Sequence, residues 1–153
     1  ILNLAGNILK FPNMDVSKDI VTKEFSGIDF DDILEYLIEE VKARNYLITR
    51  VNDIDNIHQR LIEKTASKVS FKFYKIVEFC NLESCSQLIS SNLLAGVFMP
   101  VKYIVYQPHN EEKVFVSFLK PTSFANIFYS KRLIGIAKKL EKDMYDVLEE
   151  VIF

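Results

Sequence analysis

The sequence predicts an α+β domain: a single antiparallel or mixed sheet with helices packed on one face, in the order β-α-β-α-β-α-β-β-α. Three observations carry this. Short runs rich in aromatic and β-branched residues alternate with stretches whose apolar residues recur at helical spacing. Two strand-like runs near the end are joined by a short loop, a hairpin that a pure βα repeat would lack. The 153 residues are 49% apolar and 26% charged with four Gly and four Pro, the composition of a chain that folds around a core. A domain of this length removes roughly 70% of its unfolded surface from water. The expected division is an N-terminal extension or linker over 1–19 and one α+β domain over 20–153.

The stretch "IVTKEFSG" (20–27) reads as the first strand, ended by Gly27. A helix follows, with Asp29 as N-cap and Asp31 and Asp32 in its first turn, where carboxylates oppose the positive end of the helix dipole. Phe30, Ile33, Leu34, Leu37, Ile38 and Val41 form its apolar stripe, and Asn45 terminates it. "YLITRVND" (46–53) alternates as a second strand, and "DNIHQRLIEKTA" (55–66) has the spacing of a short helix. "SFKFYKIVEFC" (70–80) is a third strand. In "NLESCSQLISSN" (81–92), Asn81 is the expected N-cap, with Leu82, Cys85, Leu88 and Ile89 on one inward face. "VKYIVYQ" (101–107) and "KVFVSFLK" (113–120) make the hairpin. "SFANIFYS" (123–130) is a short helical or turn segment, and an amphipathic helix of about 20 residues closes the chain.

Composition also bounds function. The net charge is −2 with the two signs interspersed, so no basic stripe supports nucleic-acid binding. No apolar run reaches the length of a bilayer span. The opening "ILNLAGNILKF" is apolar, and reads equally as the end of a removed signal or anchor segment or as a first element docking on the core. Phosphate-loop, nucleophile-elbow, dinucleotide and zinc-protease motifs are missing from the sequence. The sequence therefore predicts no enzyme activity, no cofactor and no metal.

The residues that could carry chemistry are few. Cys80 and Cys85 flank the strand-to-helix junction. Two thiols without a role are the favoured reading, ahead of a disulfide under oxidising conditions and of thiolate chemistry at Cys80. Zinc would need two further ligands, and His58 and His109 are each isolated. The acidic run "DFDDILEYLIEE" reads as a solvated helix face. Phe124, Phe128 and Tyr129 follow Pro121 as a cluster the last helix does not fully cover. A leftover apolar patch of this kind marks a self-association surface or a ligand groove, and a homodimer interface is favoured over a small-ligand pocket.

The stretch 75–119, with "KIVEFCN", "NLLAGVFMPVKYIVYQ" and "KVFVSFLKP", resembles the domain-of-unknown-function family 302. Its most specific parts are Phe79-Cys80-Asn81 and Met99-Pro100, and the likeness extends from about residue 20 onward. The resemblance implies a compact α+β domain that tends to dimerise, without a settled activity, in bacterial and archaeal proteins often exported or membrane-anchored. Family members often carry a cysteine directly after the proline; here that position is Val101, which weakens a thiol pair between Cys80 and that strand. Three functional expectations result. The first is a non-enzymatic interaction domain, a homodimer, periplasmic, exported or membrane-anchored rather than cytoplasmic. The second is an exported thiol-linked redox or sulfur-metabolism accessory protein using Cys80, with Asn81 beside it. The third is a carrier of a small apolar ligand, with Tyr103, Tyr106 and Lys120 directed into a pocket between the last helix and the sheet.

Overall fold

The computed structural model describes residues 15–55 and 71–151. A helical turn, α1 (Val16–Asp19), leads into β1 (Ile20–Phe25). Then come α2 (Phe30–Ala43), β2 (Leu47–Asp53), β3 (Phe71–Cys80) and α3 (Leu82–Ser91). A 3-10 segment (Leu93–Phe98) precedes β4 (Val101–Pro108) and β5 (Val114–Leu119). The short α4 (Pro121–Ala125), a 3-10 turn (Asn126–Phe128) and α5 (Lys131–Glu150) complete the domain. The expected 55–66 helix falls outside the described residues apart from Asp55, as do residues 1–14 of the expected extension and His58.

All the described strands pair antiparallel, in the order β1-β5-β4-β3-β2. The buried apolar strand residues share one face: Phe25 on β1, Val77 and Phe79 on β3, Val101, Tyr103 and Val105 on β4, Val114, Val116 and Phe118 on β5. Against them lie Phe30, Ile33, Leu37 and Val41 of α2 and Leu140, Met144, Val147 and Leu148 of α5. One-sided helix packing follows from the period-two alternation of the strands meeting the 3.6-residue period of two amphipathic helices.

Several local features have plain causes. Gly27 turns the chain between β1 and α2 at φ +75°, where a Cβ would be strained. At the end of α2, Asn45 takes the left-handed conformation (φ 64°); its N–H donates to the Lys42 carbonyl, and that of Tyr46 to the Val41 carbonyl. Those two bonds satisfy carbonyls the helix end would otherwise leave open. Lys75 of β3 reaches Asp53 at 2.8 Å and Asp55 at 3.1 Å, tying the end of β2 to its neighbour. Burial alone would lower the ammonium's pKa, but hydrogen bonds to both carboxylates outweigh it and hold the value above ordinary.

Candidate functional site

Helix α3 gathers the features of interest. Asn81 is its N-cap: the side-chain oxygen accepts from the Ser84 N–H at 3.1 Å, and the amide donates to the Asn45 carbonyl at 3.4 Å. Its task is therefore structural, joining the start of α3 to the end of α2. The strand end and the first helical turn bring Cys80 and Cys85 to a Cα separation of 6.5 Å, and the two are joined as a disulfide. This corrects the expectation of two idle thiols. A cap residue between strand and helix reverses the chain tightly enough to close the gap, which spacing alone does not reveal. Cys85 is 7% exposed, whereas Cys80 is half-buried.

Leu82 departs from the expected inward face. Six residues separate it from Leu88, a rotation of about 600° at roughly 100° per residue, so the two stand about 120° apart. Leu88 is buried and Leu82 points out. An outward aliphatic surface results: Leu82 is 74% exposed, Leu93 83%, Leu94 68% and Val97 78%. A Cβ placed on Gly96 would sit 4.0 Å from Ile89 Cγ1, so the 3-10 segment folds against the outer side of α3 and extends its surface. The signal for this was in "LESCSQLISSNLLAGV", which holds more aliphatic residues than one helix face can bury.

On another side of α3 an open groove of about 360 Å³ runs to the first turns of α5. Lys131, Arg132 and Lys139 line it, with Asn81, Ser84 and Glu83 across from them. A groove of about 560 Å³ lies between α2 and the end of α5 and carries Asp29, Asp32, Glu40 and Glu150. Among the described residues, no three His, Cys, Asp or Glu side chains are grouped to hold a metal ion. No described helix is long and apolar enough to cross a membrane.

The residues expected to form a ligand pocket do not converge. Tyr103 is fully buried, stacks on Phe79 at 5.2 Å between ring centroids, and donates to the Met144 carbonyl of α5 at 2.8 Å. Its ring fills the space between sheet and helix where a ligand would lie, and burial pushes its phenol well above the ordinary pKa. Tyr106 stands on the opposite face of β4, stacked between Tyr74 at 5.8 Å and Phe115 at 5.3 Å. Lys120 follows β5, where its N–H donates to the Asp19 carbonyl and its own carbonyl accepts from Ser123.

The aromatic cluster is likewise redistributed. Phe124 is 6% exposed and stacks on Phe98 at 4.7 Å, which makes it core and removes it as an interface candidate. Phe128 meets Phe98 edge-on at 6.0 Å and is half-buried, while Tyr129 remains exposed in the left-handed conformation. Pro121 begins α4 and carries Phe124 under the 3-10 segment, a long-range contact that local spacing does not encode.

A crystal structure of an uncharacterized conserved protein from Bacillus stearothermophilus resembles this fold with a TM-score of 0.75 and 25% sequence identity, covering 88% of this chain and 98% of that one. Its description assigns it to the same family as the sequence match given next. No curated protein matches the sequence. The family model "Domain of unknown function DUF302" matches residues 21–151, and the chain belongs to that family.

Proposed function

We propose that this chain is a non-enzymatic interaction domain that pairs with a second copy of itself through the outward surface of α3 and the following 3-10 segment. The observation that carries the reading is the exposure of Leu82, Leu93, Leu94 and Val97 on one stretch of chain. Apolar patches of this kind mark interaction surfaces in otherwise polar exteriors. Ser86 lies between Leu82 and Ile89 on the same side, so these three positions bring no charge to desolvate and Ser86 is small enough to allow close approach. A two-fold axis brings the same patch together on both copies, which is how most homodimers are built.

The size of the effect follows from burial. Four side chains on each copy, at about 1.5 kcal/mol each, give roughly 12 kcal/mol before the cost of association. Taking that cost as about 6 kcal/mol leaves about 6 kcal/mol, a dissociation constant of tens of micromolar. Sedimentation equilibrium over about 5 to about 500 μM spans that value. Wild type is expected to pass from monomer to dimer, and Leu93→Lys/Val97→Lys to stay monomeric with an unchanged melting temperature. A wild-type monomer at the highest concentration refutes the proposal, and so does a double variant that dimerises as tightly as wild type.

A further inference from the structure

We propose that the Cys80–Cys85 disulfide is an exchange site for small thiols that carry carboxylates, recruited by the cationic groove between α3 and α5. The disulfide adjoins the groove through its chain neighbours and does not itself line it: Asn81 directly follows Cys80, Ser84 directly precedes Cys85, and Asn81 and Ser84 both line the groove. The opposite wall supplies Lys131, Arg132 and Lys139, all exposed and none in an ion pair among the described residues. Among the described residues Glu83 is the single carboxylate on the lining, so an approaching anion meets a net positive surface there. Of the two sulfurs, Cys80 belongs to the half-buried residue and Cys85 to the buried one, which makes Cys80 the point of attack.

The step is a thiolate–disulfide displacement. The small molecule's thiolate sulfur bonds to Cys80 Sγ as the Cys80–Cys85 bond breaks, and Cys85 leaves as a thiolate that takes a proton from water. A second thiolate then attacks the small molecule's sulfur in the mixed disulfide. It displaces the Cys80 thiolate and frees an oxidised small disulfide. Two small thiols are oxidised, one protein disulfide is reduced, and the reverse sequence restores it. The cations contribute by raising the local concentration of an anionic thiol, an effect that charged clefts exert on the order of tenfold or more. Screening by salt weakens it.

The test uses the oxidised full-length chain and three thiols: glutathione, which carries carboxylates, 2-mercaptoethanol, which is neutral, and cysteamine, which is cationic. Rates of disulfide loss are followed by acid quenching and mass spectrometry, and expressed per thiolate relative to a neutral model disulfide. Glutathione is expected to react about tenfold faster than 2-mercaptoethanol, and cysteamine more slowly than either. The preference is expected to fall below about twofold in about 1 M salt, where the screening length is only a few ångströms. The same collapse is expected in Lys131→Gln/Arg132→Gln/Lys139→Gln, whose substitutions are exposed and leave the fold intact. Peptide mapping is expected to place the transient adduct on Cys80. Equal relative rates for the three thiols, a preference that survives the triple variant, or an adduct on Cys85 would each overturn the proposal.

Discussion

Raising the pH above the ordinary tyrosine range is expected to unfold this domain steeply, because two of its seven tyrosines are buried where a phenolate is costly. Burial holds the Tyr46 phenol above its ordinary pKa, and the 2.7 Å hydrogen bond to the Asp143 carboxylate adds to this. Burial does the same for Tyr103, whose hydroxyl serves the Met144 carbonyl. In the unfolded chain both titrate near pH 10. Above that pH the native state keeps two protons that the unfolded state has lost, so stability is complete below about pH 10 and falls as pH rises. Each group contributes a slope of about 1.4 kcal/mol per pH unit, and the pair about 2.7 kcal/mol. Against a total of about 5–15 kcal/mol for a domain, one pH unit is a large loss.

Urea unfolding at steps from about pH 9 to about pH 11 measures the slope directly. Tyr46→Phe and Tyr103→Phe are each expected to remove about 1.4 kcal/mol per pH unit of it. At neutral pH the variants differ by a constant offset: about 1 kcal/mol lost for Tyr103→Phe, and about 1.5–3 kcal/mol for Tyr46→Phe, whose partner is charged. Tyr74 and Lys75 also have raised values and steepen the background, which the variant differences cancel. A wild-type stability that is flat across this range refutes the reasoning, as does an unchanged slope in both variants.

Other perturbations test the remaining structure. Reducing the disulfide, or Cys85→Ser, opens a loop of about six residues and is expected to cost about 2 kcal/mol on the chain-entropy estimate, read from the shift in thermal midpoint. Asn81→Ala removes the cap of α3 and is expected to cost about 1 kcal/mol by urea titration. Leu37→Ala, in the centre of the α2 stripe, is expected to cost about 2–5 kcal/mol in the same assay, while Glu35→Ala on the exposed face changes stability by less than about 0.5 kcal/mol.

What the sequence disclosed was local. Helix α2 was legible from Asp29 to Asn45 because its stripe, its acidic first turn and its terminating residue all agree. The β4–β5 hairpin was legible because Pro108 to Lys113 is short and polar between two alternating runs. Non-local pairing was not. Nothing in "IVTKEF" says that β1 lies beside β5, an edge pairing that spans most of the chain. The facing of Tyr103 failed for a related reason: alternation separates it from Tyr106 but does not say which side meets α5. Cys80 and Cys85 sat at the correct junction, yet their bonding depends on the turn that Asn81 imposes.

The two proposals for α3 stand on different sides of it, and this makes them separable. Taking roughly 100° per residue, Leu82, Ser86 and Ile89 centre on one direction, and Glu83, Ser84 and Gln87 on another about 150° away. Between them, Cys85 and Leu88 turn inward, Leu88 meeting Leu133 of α5 in a small apolar cluster. A second copy seated on the first side therefore leaves the groove open to solvent. Leu93→Lys/Val97→Lys, measured in the thiol assay, is expected to keep the preference for glutathione while losing the dimer. The triple cation variant is expected to keep the dimer while losing the preference. If either variant abolishes both properties, the two surfaces are coupled through α3 itself, and the side-by-side assignment fails.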